Sequence, residues 1–296
     1  MRHLLPCRPT GSPGRLAIGS RLTLVCFFYL VLSSWTTARC QEDPASNSPA
    51  HQPSSSSAAS DTSQIQAEVG HRDITYIRDF VLFRYDYKLQ DGPDETNRFR
   101  LKLLYAFGPD SRFGASVSVP VMFETTPTAS AFGSGDTEIV VGAILYRNPS
   151  FRTAITFQVT PQTSSENLLG GSTTTIKPAW GFSQVFSSRC QLTAAFYYEQ
   201  SVHTVRGAPT KQFEPDLTFN FRVLRATWFV EYDSYYLFIP SQYAQTMKLG
   251  GSRTLGRDKQ WVASAYYSVA INDPGTATQY HYNPGFDLTW YPFKNK

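Results

Sequence analysis

From Tyr76 to the C-terminus the chain alternates apolar and polar residues with a period of two. In a first segment, Tyr76 to Leu89, Val81, Phe83, Tyr85, Tyr87 and Leu89 share one face, with Leu82, Arg84, Asp86 and Lys88 on the other. A second, Asn97 to Phe107, sets Phe99, Leu101, Leu103, Tyr105 and Phe107 against Arg98, Arg100 and Lys102. Period two is the signature of a β-strand whose two faces meet different surroundings. The form recurs in Phe113–Phe123, Asp136–Tyr146, Phe151–Thr160, Thr173–Phe186, Gln191–His203, Glu214–Leu224, Ala226–Phe238, Thr246–Leu255, Gln260–Ile271 and Tyr280–Phe293. The sharpest case opposes Leu217, Phe219, Phe221 and Val223 to Asp216, Thr218, Asn220 and Arg222. About twelve such strands predict an antiparallel sheet, either in a soluble sandwich or in a barrel with lipid outside and a polar lumen.

The connections and the C-terminus separate these two solutions. Tight junctions at 108–111, 147–150, 187–189, 224–225 and 256–259 alternate with longer ones at 90–96, 124–135, 161–172, 204–210, 239–245 and 272–279. Transmembrane barrels place short turns on the periplasmic side and longer loops outside, whereas a sandwich gives no reason for the alternation. At the end of the chain, Asn283, Gly285, Leu288, Trp290 and Phe293 lie in N-P-G-F-D-L-T-W-Y-P-F, with Asp287 and Thr289 on the opposite face from Phe286, Leu288 and Trp290. This stretch resembles the C-terminal signal by which outer-membrane barrels are inserted, and implies the barrel-assembly machinery as a partner. The reading is an all-β, transmembrane, antiparallel up-and-down barrel of about twelve strands.

Composition fits that solution. The chain has 296 residues, with 17 Tyr and 21 Phe, and several of these cluster at strand ends, as bilayer headgroups favour. Mean hydropathy is negative, and no later apolar run is long enough for a membrane helix. The balance of 27 basic to 23 acidic residues does not point to nucleic acid. Near the start, Arg15 and Arg21 precede the apolar run Leu22 to Leu32, followed by polar residues, which reads as a signal peptide over 1–40 cleaved after Ala38 or Cys40. Residues 41–72 are rich in Ser, Ala, Gln, Pro and Asp and predict a disordered periplasmic tether, leaving 73–296 as the barrel. Cys190 is the one cysteine of that barrel, so no disulfide framework is available to it.

Gly133-Ser134-Gly135-Asp136-Thr137-Glu138-Ile139-Val140-Val141-Gly142-Ala143, Phe157 to Pro161 and Pro178 to Gln184 together resemble segments of the outer-membrane porin family named for the MetA pathway of phenol degradation. Where that family tends to continue Pro-Thr-Gly, this chain has Pro161-Gln162-Thr163. The resemblance implies an outer-membrane transporter and says little of the solute.

Parity then assigns the lumen. Arg84, Lys88, Arg98, Arg100 and Lys102 fall on one arc and Asp136, Glu138, Asp216, Glu231 and Asp233 on another, with Arg222 on the same face as Asp216 and with Asp136, at a strand end, reading as a rim residue. Opposed arcs would set a field across the lumen and sort small solutes by charge and size, with Arg100 the leading constriction residue. The alternative is that these charges pair within the closed interior of a structural or adhesive outer-membrane barrel. For catalysis, Ser201 and His203 share a face, but no third group follows them, and His71 and His281 have no partner motif. The chain therefore predicts no enzyme, no cofactor and no metal ligands at useful spacing, with lipid and small solutes as its partners.

Overall fold

The computed structural model describes residues 68, 72–89, 94–166, 168–170, 173–204, 209–239, 241–256, 260–272 and 282–292. The predicted signal peptide, His71, His281 and Phe293 lie outside them. Thirteen strands form one antiparallel sheet: β1 Phe80–Leu89, β2 Glu95–Phe107, β3 Phe113–Thr125, β4 Ser130–Ser134, β5 Glu138–Arg147, β6 Phe151–Thr160 and β7 Thr173–Ser187 come first. They are followed by β8 Cys190–Thr204, β9 Lys211–Val223, β10 Ala226–Ile239, β11 Ser241–Leu255, β12 Trp261–Ala270 and β13 Tyr282–Trp290. Each pairs with its sequence neighbour, β3 pairs with β5 past β4, and β13 returns to β1, so twelve strands close a barrel.

Alternation maps onto the wall as the pattern predicts. Phe99, Leu101 and Leu103 face outward and are exposed, whereas Phe80, Leu82, Asp287 and Thr289 face inward and are buried. Outer rings form stacked rows across neighbouring strands, one through Trp180, Phe196, Phe213, Tyr236 and Tyr243 and another through Tyr105, Phe107 and Phe113. A belt of apolar side chains edged by such rings is what a bilayer requires of a barrel's outer face.

Three boundaries differ from the pattern. Residues 239–245, expected as a loop, are largely strand, because Ser241 pairs with Phe238 and Tyr243 stacks on Tyr236 at 4.6 Å. Residues 124–135, also expected as a loop, contain β4, which forms a hairpin with the end of β3. Both hairpins lie at the end where a strand can be solvated on both faces, so its sequence need not alternate. The expected strand at Tyr76 starts at Phe80 instead, because residues 72–79 turn into the lumen. In that turn, the Tyr76 amide donates to the Asp73 carbonyl at 3.0 Å, and Asp79 accepts from the Ala106 amide at 2.7 Å.

Candidate solute pathway

The side chains that parity assigned to the lumen fall on the inner face. They do not stand alone. Arg84 donates to Asp287 at 2.7 and 3.1 Å, Arg98 to Asp86 at 2.7 and 3.1 Å, and Arg100 pairs with Glu138 at 3.2 Å. Lys177 holds Glu214 at 2.5 Å and Glu199 at 3.5 Å, and Lys248 contacts Glu231. Arg222 pairs with Glu68 at 3.1 Å. Parity could have added Lys177, Glu199, Glu214 and Lys248 to the lumen set, but the pairing partners could come only from strand register.

Even when paired, the charges are unevenly distributed, although Asp86 stands among the basic groups of β1 and β2 and Arg222 among the carboxylates of β8 to β10. Lys88, Arg84, Arg98, Arg100 and Lys102 lie on β1 and β2, and Glu199, Glu214, Asp216, Glu231 and Asp233 on β8 to β10, which is half a barrel away in strand order. The basic side chains of the first arc therefore face the carboxylates of the second across the lumen. Carboxylate oxygens of Asp216, Glu231 and Asp233 come within 4.8 Å of one another, closer than their sequence spacing suggested, with Lys248 beside them.

Two chain segments narrow this lumen from opposite ends. At the long-loop end, Asp136 accepts from the amides of Thr163 and Ser164, both at 2.9 Å, and so pins residues 161–166. A Cβ on Gly133 would lie 2.0 Å from Ser165, and one on Gly135 would meet Met122 and Pro120, both lumen-facing residues of β3. The loop thus sits on the inner side of the β3–β4 hairpin, and the glycines of the Gly133-to-Asp136 motif make the room for it. Replacing Asp136 by Ala should raise amide exchange at Thr163 and Ser164 about tenfold, as expected for a lost charged hydrogen bond of about 1.4 kcal/mol.

At the short-turn end, residues 68 and 72–79 cross the lumen. Glu68 accepts from Thr227 at 2.5 Å and from the Thr254 hydroxyl and amide at 2.8 and 3.0 Å, against β10 and β11. Asp73 accepts from Gln191 of β8 at 3.2 Å, while Ile74 lies against Gly181 of β7. Ile77 reaches Gly114 and Gly142 of β3 and β5, on the far wall. Below it, Phe80, Leu82, Val262 and Tyr291 form a small buried core inside the barrel, with Leu104 packed against it. Burial raises the Asp73 carboxyl above its usual range, opposed by hydrogen bonds from Thr75. A polar tail gave no periodic signal of this segment, since each of its contacts is made with a different and distant strand.

Ser201 and His203 do not form a catalytic pair. A register shift between Thr174 and Thr175 separates them, and Ser201 bonds Thr210 at 2.7 Å while His203 is exposed.

No protein-family model matches the chain, and no curated protein does. Among solved structures, it is similar to an outer membrane channel from Pseudomonas putida F1, with a TM-score of 0.59 and 8% identity over 72% of this chain and 95% of that one. It is also similar to the NanC porin, with a TM-score of 0.51 and 8% identity over 73% of this chain and all of that one (100%). At that identity the likeness concerns architecture, and the architecture of this chain is the closed antiparallel β-barrel of outer-membrane proteins.

Proposed function

We propose that the protein is an outer-membrane channel through which small polar solutes diffuse passively, sorted by a charged constriction. The observation that carries this reading is the uneven charge of the lumen, with an excess of basic groups on β1 and β2 and an excess of carboxylates on β8 to β10, half a barrel away in strand order. The likeness to porins and the resemblance of the Gly133-to-Ala143 segment point the same way. In this reading residues 1–40 direct export and are removed, and Asn283, Gly285, Leu288, Trp290 and Phe293 carry the barrel to its assembly machinery in a bacterial outer membrane.

A second reading, a barrel closed at rest, is favoured by the segment crossing the short-turn end. The two are separated by single-channel conductance of residues 41–296 refolded into a planar bilayer, beside a form with Gly and Ser at positions 68–75. Conductance in either form supports the channel, and a rise in the second shows that seating of the segment limits flow. Silence in both would sink the channel reading. Arg100→Glu places a carboxylate beside Glu138 and should move ion preference toward cations; an unchanged preference would remove Arg100 from the constriction.

A further inference from the structure

Inward positions on four adjacent strands run Phe229, Gly250, Tyr266, Gly285, paired one to the next across β10, β11, β12 and β13. Large and small residues alternate along this row. Each ring leans over a glycine, since a Cβ on Gly250 would come within 2.3 Å of Phe229 and one on Gly285 within 2.1 Å of Tyr266. Over these two rings lies a single slot. The guanidinium of Arg72 fills it, with Cζ at 4.3 Å from the Phe229 centroid and 4.6 Å from that of Tyr266. One Nη donates to Asp287 at 2.7 Å, and the other lies 3.6 Å from Glu231.

Arg72 reaches this slot from the N-terminal segment, so the wall that forms it is complete without Arg72. The surroundings call for a cation: Asp216, Glu231, Asp233 and Asp287 stand against Lys248 and Arg84, an excess of carboxylate that Arg72 offsets. Flat faces on two sides favour a delocalised planar cation over a compact ammonium, which is more strongly hydrated and cannot stack. Arg84 keeps 22% of its side-chain exposure while its partner Asp287 has none, so the solvated part of the lumen ends at Arg84, next to the slot.

We propose that the slot between Phe229 and Tyr266 is a binding site for a small organic cation of the guanidinium class, with Arg72 as its tethered occupant. The site rests on the channel reading for its access and gives that channel a solute class. A solute of this kind entering from the long-loop end would meet Arg72 in competition, and its binding would be coupled to release of the segment.

The test is titration calorimetry of the refolded protein in micelles with methylguanidinium, and methylammonium for comparison. Arg72→Ala should bind methylguanidinium at least tenfold more tightly than the unaltered chain does, and more tightly than it binds methylammonium. Phe229→Leu in the same background should remove that preference. Equal binding by both chains, no binding by folded Arg72→Ala, or equal affinity for the two cations would overturn the proposal. Arg72→Gln serves if the alanine variant does not fold. In the unaltered chain, methylguanidinium should raise exchange of the Thr75 amide, which is held by Asp73 at 2.8 Å; unchanged exchange at saturating probe also overturns the site. None of these readouts is a current, so a silent barrel with a working slot, and a conducting barrel without one, are distinct results.

Discussion

Replacing Asp287 by Ala is expected to lower the stability of the refolded barrel by about 3–5 kcal/mol, the range for removing one partner of a buried ion pair. Its side chain has no solvent exposure and is shared by two arginines, Arg84 at 2.7 Å from β1 and Arg72 at 2.7 Å from the crossing segment. Without it, one guanidinium at 9% exposure and another at 22% lose their nearest anion, and Glu231 at 3.6 Å from Arg72 is already engaged by Lys248. Most of the loss is therefore uncompensated charge rather than a missing contact. The measurement is the urea midpoint in micelles, and Asp287→Asn, which keeps the shape and one acceptor, should fall between the two. A change below about 1 kcal/mol would mean that water reaches both arginines freely, as it does around exposed pairs.

Gly250→Val is expected to be nearly as harmful, by a different route. The added Cβ would stand 2.3 Å from the Phe229 ring and 2.7 Å from the Ala265 carbonyl oxygen. The ring cannot retreat, because Arg72 lies on it, and the carbonyl belongs to the β-ladder. Overpacking of this kind costs about 1–3 kcal/mol, and the upper end applies when a backbone atom is among those struck. Gly251→Val is the control. Its Cβ points to the outer face, where the nearest atom is 3.3 Å away on Trp228, and the change there should stay within about 1 kcal/mol. If both variants unfold at the same urea concentration as the parent, the Phe229–Gly250–Tyr266 row is looser than its spacing implies.

Much of this molecule can be read from alternation, because a bilayer outside and a polar lumen inside impose opposite demands on successive residues. That is why Leu217, Phe219 and Phe221 separate so cleanly from Asp216, Thr218 and Asn220. Where both faces are wetted the demand lapses, and β4 and the start of β11 carry no such signal. Lumen charges were legible by parity, but Arg84 meets Asp287 across a register that joins the first strand to the last. Arg72 was least legible of all. It lies in a polar stretch, and only the closed barrel brings Phe229, Tyr266 and Asp287 around it.

The closure of β13 onto β1 has a consequence for the order of assembly. Asp287 arrives on the last strand made, whereas Arg84 and Arg72 belong to the first strand and the stretch before it. Arg84 meets this carboxylate only when the seam closes, whereas Arg72 meets it only when the leading segment is inside, so the full pairing of Asp287 reports both sealing of the wall and threading of the interior. A barrel that zipped shut before its leading segment was inside would leave Arg72 in the periplasm and Asp287 half neutralised. Of the two closed products, the threaded one has the more complete ion pairing and is therefore the more stable.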